Sequence, residues 1–168
     1  QDNDGYIWIG NEFGVSRFNG KTFENFSVAD GLSDNEIIFI KKDSKGRIWF
    51  LGYNGTVSYW FKNKFYNEKT DTLLKEIKTT YCFTDLFEDK LGKLWFFSIS
   101  NSKILNGSNV ISAKPSEVYQ NSFLIEGNNR QIILSRASDH HVVFSANGFR
   151  PTNLKYTRKL GCGLVRLP

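Results

Sequence analysis

The residues of this sequence equipped for chemistry are few and dispersed. They are the adjacent histidines His140 and His141, the carboxylates Glu12 and Asp139, the amides Asn11, Asn54 and Asn101, and the rings Phe13 and Tyr53. His140 and His141 alternate faces on a strand, so both cannot point at one metal ion, and no His-x-x-x-His or Cys-His cluster assists them. Asp2-Asn3-Asp4-Gly5 begins like a calcium loop, but the downstream ligands are missing and the Asp side chain is better suited to capping its own turn. Cys82 and Cys162 lie far apart without a partner motif, which removes zinc and thioredoxin-type chemistry. No Gly-x-Ser-x-Gly, phosphate loop or dinucleotide fingerprint occurs. The expectation is therefore no metal, no cofactor and no catalysis. A lyase or hydrolase would require Glu12, Asp139 and His140 to converge on one face.

Such a face needs elements to build it, and those are written as a repeat. Asp2-Asn3-Asp4-Gly5-Tyr6-Ile7-Trp8-Ile9 recurs as Asp43-Ser44-Lys45-Gly46-Arg47-Ile48-Trp49-Phe50 and again as Asp89-Lys90-Leu91-Gly92-Lys93-Leu94-Trp95-Phe96. An Asp-x-x-Gly turn feeds a strand with tryptophan at a fixed place, and the tryptophans stand 41 and 46 residues apart. A period of about 40 to 45 residues built of short strands is that of propeller blades. Both faces of such a blade are apolar, so blades stack around an axis and bury Trp8, Trp49 and Trp95 as wedge-filling core.

The fold expected is all-β, about four units of four antiparallel strands, either part of a larger propeller or an incomplete ring. Blade 1 is partial over 1–27, with strands at Tyr6 to Gly10, Gly14 to Phe18 and, after the Asn19-Gly20 turn, Lys21 to Phe26. Blade 2 occupies 36–67 and opens on Glu36 to Lys42, apolar enough for an innermost strand covered on both faces. Residues 68–80 would serve as a surface crossover or a short helical turn, and blade 3 follows at 81–113. Blade 4, at 119–154, is degenerate: Asn129 replaces the turn glycine and Ile132 the tryptophan, and 155–168 forms a tail.

Composition agrees with this architecture. Of 168 residues 40% are hydrophobic and 15% aromatic, enough to bury a core. No run of 18 apolar residues is present, and a chain that opens at Gln1 inside a repeat and has no methionine reads as a mature or cut piece of something longer. The formal net charge is +5, but Lys and Arg are scattered rather than blocked, which argues against nucleic acid as a partner.

In a propeller, the links from second to third strand and from outer strand to next inner strand share one face. Here that face would carry Asn11, Glu12, Phe13, Tyr53, Asn54, Asn101, Asp139 and His140. Amides, carboxylates and exposed rings suit flat, hydroxyl-rich sugars. A homodimer completing the ring through open blade faces is the other partner expected.

The linked stretches Asp-x-x-Gly-x-Ile-Trp-x-Gly, Gly14-Val15-Ser16-Arg17-Phe18-Asn19-Gly20 and Gly31-Leu32-Ser33-Asp34-Asn35-Glu36-Ile37 resemble the two-component regulator propeller repeat, well over 1 to about 113 and weakly over 119–154. The resemblance implies a seven-bladed propeller, often in tandem, in the periplasmic half of a membrane-bound sensor histidine kinase, including hybrid kinases that respond to glycans. It implies a ligand-sensing module with an oligosaccharide ligand, attached to a membrane only through other parts of a longer protein.

Overall fold

The computed structural model describes residues 1–89, 91–98 and 102–113, together with the strand backbone at 123–126, 132–135, 141–145 and 148–152. The chain divides into two compact units, residues 1–115 and 116–168.

Each Asp-x-x-Gly turn closes for the same reason. In the second, Gly46 N–H donates to Asp43 O at 3.0 Å and Asp43 N–H to Arg47 O at 3.0 Å. This reversal places Gly46 at φ +82°, a region that glycine enters without strain. The carboxylate then latches the following strand. Asp43 Oδ1 accepts the amides of Lys45 and Arg47 at 3.0 and 2.9 Å, while Oδ2 accepts Arg47 Nε at 2.5 Å and Trp49 Nε1 at 2.9 Å. Asp2 makes the corresponding bonds to Asp4 N, Tyr6 N and Trp8 Nε1 at 3.0, 2.9 and 2.7 Å. Asp89 makes them to Leu91 N, Lys93 N and Trp95 Nε1 at 2.9, 2.9 and 3.0 Å. The aspartate is a turn cap, and it also fixes the indole.

Strands β1 (Ile7–Asn11), β2 (Gly14–Phe18) and β3 (Phe23–Phe26) form the first sheet, and β4 (Ile37–Lys42), β5 (Ile48–Gly52), β6 (Val57–Phe61) and β7 (Lys64–Tyr66) the second. Helix α1 (Leu73–Ile77) leads to the third, β8 (Phe83–Glu88), β9 (Leu94–Ser98), β10 (Ser102–Asn106) and β11 (Asn109–Ala113). The second unit contains one sheet of β12 (Phe123–Glu126), β13 (Ile132–Ser135), β14 (His141–Ser145) and β15 (Gly148–Thr152). Every sheet is an antiparallel meander in chain order, which is the construction of a propeller blade.

Within the first unit the sheets pack face to face through aromatic rings. Trp8 lies 5.2 Å from Phe50 and 5.5 Å from Trp60, and Phe26 lies 5.2 Å from Phe65, centroid to centroid. Between the second and third sheets Trp49 meets Phe96 at 5.2 Å, and Leu74 and Ile77 of α1 are buried in the same cluster. Trp8 and Trp49, 9% and 0% exposed, fill the wedges between the first and second and the second and third sheets, and Trp95 is 8% exposed. Turns and inner strands join neighbouring sheets at the opposite end from the strand links. Lys42 Nζ donates to Asn3 Oδ1 at 3.3 Å, and Ser44 donates from N and Oγ to the Glu88 carboxylate at 2.6 and 2.5 Å.

Two local expectations need adjustment, and a third resolves to one of its alternatives. The inner strand β4 is not covered on both faces: Ile38 and Phe39 are 37% and 39% exposed beside a register shift at Ile37/Phe39, whereas all of β5 is buried. An inner strand borders the axis of a blade arrangement and has a neighbour on one side only, so β5, flanked by two strands and two sheets, takes the greatest cover. The third strand starts at Phe23 rather than Lys21, because Asn19 Oδ1 caps the amides of Lys21 and Thr22 at 2.9 Å each and holds them in the turn. The crossover at 68–80 is helical where Leu74 and Ile77 find apolar cover.

Two outcomes are expected. Asp43→Ala strands a partly buried guanidinium, a buried indole N–H and two amides, and should cost about 3 to 5 kcal/mol, against about 1 kcal/mol for the more open Asp2→Ala; urea denaturation followed by tryptophan fluorescence measures both. Tyr59 donates to Asp71 Oδ2 at 3.0 Å, and burial together with that carboxylate raises its phenol well above the ordinary value near 10. Above about pH 10 the unfolded chain releases this proton while the folded one retains it, so the stability contributed below that pH is lost as pH rises. Alkaline unfolding should therefore be less steep in Tyr59→Phe, with phenolate absorbance reporting the ionisation.

Candidate functional site

The β1–β2 and β5–β6 links and the two straps, residues 27–36 and 67–82, emerge at one end of the first unit. The first strap begins with a capping box, Ser27 N–H to Asp30 Oδ2 at 2.8 Å and Ala29 N–H to Ser27 Oγ at 3.2 Å. Gly31 follows at φ +114°, where a Cβ would lie 2.9 Å from the Phe65 Cβ, so both its dihedral and its contact require glycine. Leu32, 1% exposed, then drops into the aromatic cluster of the first two sheets.

Beyond Leu32 the strap is bound to the second sheet. Ser33 Oγ lies 2.8 Å from both Val57 O and Glu68 Oε2. Asp34 Oδ2 accepts the Asn54 amide at 3.0 Å, and Glu36 O accepts the Tyr53 amide at 2.9 Å. The second strap holds the same link from the other side through Thr79 N–H to Gly55 O at 3.0 Å, and it is tied to the first strap by Asn67 Nδ2 to Gly31 O at 3.0 Å. The Tyr53–Gly55 link is thereby clamped between 34–36 and 79–81, which brings Tyr81 close to it.

The expected site residues divide into distinct roles. Phe13, 76% exposed, and Tyr53, 57% exposed, present rings to solvent, and Glu12 beside Phe13 is exposed too. Asn11 and Asn54 are also exposed, but their carbonyl oxygens are engaged locally. Asn11 Oδ1 accepts the Phe13 amide at 2.7 Å, and Asn54 Oδ1 accepts Thr56 N and Oγ1 at 2.9 and 2.5 Å. These amides shape the links and have their Nδ2 donors to offer. Asn101, Asp139 and His140 lie outside the described residues.

Sequence reasoning missed three contributors. Asp34 and Ser33 are fasteners, legible in the Gly31-Leu32-Ser33-Asp34 run only once its neighbours in space are known. Tyr81, 54% exposed, belongs to the second strap and lacks a marker at a repeat position. Three rings, Phe13, Tyr53 and Tyr81, and the carboxylates of Glu12 and Glu36 are exposed on the links and straps at this end. That set can stack on a flat apolar surface and accept hydrogen bonds from hydroxyl groups. Among the described residues no group of three or more His, Cys, Asp or Glu side chains is placed to hold a metal ion.

Comparison with known proteins places these features. Residues 31–54, from the strap glycine through β4, the Asp43 latch and β5 to Asn54, match the family described as two component regulator propeller. The extracellular domain of BT3049 from B. thetaiotaomicron, assigned to the hybrid two component systems, superposes with a TM-score of 0.66 at 17% identity, covering 90% of this chain and 22% of that one. The extracellular domain of BT4673 from the same organism, described in the same way, gives 0.67 at 20% identity over 93% of this chain and 23% of that one. A further structure of the BT4673 domain, described as part of a one component system, gives 0.64 at 19% identity. The chain thus spans less than a quarter of the length of these structures. No curated protein sequence matches. Residues 31–54 thus match one unit of the two component regulator propeller family, over the strap, the latch and the clamped link, and the chain has the β-propeller fold of these extracellular domains.

Proposed function

We infer that the chain is the extracytoplasmic, ligand-sensing part of a two-component signalling protein of the sensor or hybrid histidine kinase kind, facing the periplasm, responsive to a glycan and without catalysis of its own. The observation that carries this reading is the clamped link: Tyr53 is exposed while its backbone is tied to Glu36 and its neighbours to Asp34 and Thr79. A ring held in this way can stack on a sugar without a large ordering cost. Phe13 and Tyr81 are further exposed rings on the links and straps at this end, and Glu12 and Glu36 are exposed acceptors for hydroxyl groups. The likeness to extracellular domains of hybrid two component systems supports the sensor part of the reading. No described helix is long and apolar enough to cross a membrane.

Isothermal titration of the full chain with a panel of neutral and uronic-acid oligosaccharides tests the proposal. Tyr53→Ala should weaken the best binder by about three- to tenfold, the worth of one stacked ring, and Phe13→Ala should act in the same direction. Neither exposed ring supports the core, so the unfolding free energy should stay within about 0.5 kcal/mol of the parent chain. Absence of binding across the panel, or binding indifferent to both substitutions, would reject the glycan site.

A further inference from the structure

The turn end of the first unit, opposite the strand links, presents a basic surface because the latch draws its acids inward. Asp2, Asp43 and Asp89 turn their carboxylates onto the amides and indoles of their own units, and Glu88 is spent on Ser44 N and Oγ. Glu24 and Asp85 are paired with Arg17 and Lys41. The remaining lysines of this end stay in solvent. Lys21 in the β2–β3 turn, Lys42 and Lys45 around the Asp43 turn, and Lys62 and Lys64 of the β6–β7 hairpin are exposed, and among the described residues none of them is in an ion pair. One is held there against backbone preference. Lys62 opens the two-residue β6–β7 turn at φ +50°, the place that Gly107 fills at φ +62° in the equivalent β10–β11 turn. A lysine is strained in this left-handed region where glycine is not, and a residue kept at such a cost points to a use for its side chain. An apolar residue joins the lysines. Leu91 stands at the tip of the third turn, at the repeat position of Asp4 and Lys45, and is 51% exposed. The bonds from Ser44 to Glu88 tie that turn to the one carrying Lys45.

We propose that this end docks on an anionic phospholipid surface, with Lys21, Lys42, Lys45, Lys62 and Lys64 facing headgroup phosphates and Leu91 entering the interface. The lysines stand on separate turns of two sheets, so the positive charge covers an end of the unit and does not run along one strand, which suits a surface. A soluble anionic chain would use the charge but leave Leu91 in water, whereas the headgroup boundary takes both. The opposite end is not built in this way: there the exposed acids Glu12, Asp30, Glu36 and Glu76 offset Lys69, Lys75 and Lys78. Docking by the turns leaves the end that carries Tyr53 facing away from the bilayer, and it does not depend on the glycan reading of that end.

Co-sedimentation of the full chain with vesicles of phosphatidylcholine, with and without phosphatidylglycerol, tests the proposal. Binding should require the anionic lipid and fall as salt is raised. Lys45→Gln and Lys64→Gln should each lower the partition coefficient about fivefold, the worth of one lysine near such a surface. Leu91→Ser should lower it without changing the salt dependence. Lys62→Gly should also weaken binding about fivefold, yet leave the thermal midpoint at or above that of the parent chain, which separates lost binding from a lost fold. Lys75→Gln, at the opposite end, should bind as the parent does. Absence of binding to the anionic vesicles, or equal weakening by Lys75→Gln, would overturn the proposal. Capture by soluble heparin without vesicle binding would assign the end to an anionic polysaccharide and overturn it as well.

Discussion

The bond between an aspartate carboxylate and the indole six residues later is the constraint on which the rest of this fold depends. One oxygen of Asp43 closes the turn through two backbone amides, and the other holds Trp49 Nε1, so a single side chain fixes the reversal of the chain, the phase of the strand and the orientation of its largest residue. A carboxylate only 5% exposed is tolerable because its acceptor sites are filled by N–H donors. The oriented indoles of Trp8 and Trp49 then become the surfaces on which the second and third sheets are laid. Errors in one turn would be felt two sheets away, which gives a physical reason for the Asp-x-x-Gly-x-x-Trp spacing to recur unchanged.

The cations of the core show how the same layering is reached by different residues. In the second sheet Arg47, next to the turn glycine, lies over both Trp49 and Tyr59 and also pairs with Asp43. In the first sheet that position is Tyr6, and the guanidinium comes instead from Arg17 on the neighbouring strand, 4.3 Å over the Tyr6 ring and paired with Glu24. Both arrangements place a weakly hydrated planar cation on aromatic faces and give it a carboxylate.

Much of this was legible in the sequence because the repeat is written in residues with narrow physical roles. Asp, Gly and Trp at fixed spacing leave little choice of turn and strand, so the sheets and their tryptophan core could be read directly. Less could be read where a residue's role depends on neighbours distant in sequence. The Ile37-Ile38-Phe39-Ile40 run looks fully buried by composition, yet Ile38 and Phe39 are partly open because a bulge and the inner position remove their cover. Asn11 and Asn54 read as ligand groups but spend their oxygens on their own links. Asp34 reads as a surface acid, yet it binds an amide 20 positions away. A periodic pattern reports what lies within a strand or turn, and these roles are set between elements.

The clamp on the Tyr53–Gly55 link also has a mechanical consequence. A loop of this size would ordinarily absorb a push on its tip by changing its own dihedral angles. Here its backbone is fastened to the strap that carries Leu32 into one aromatic cluster and to the strap that follows α1 out of the other. Force applied at Tyr53 therefore has no soft local path and passes into both sheet interfaces together, so displacement at this end of the unit should emerge as a tilt of whole sheets rather than as a bent loop.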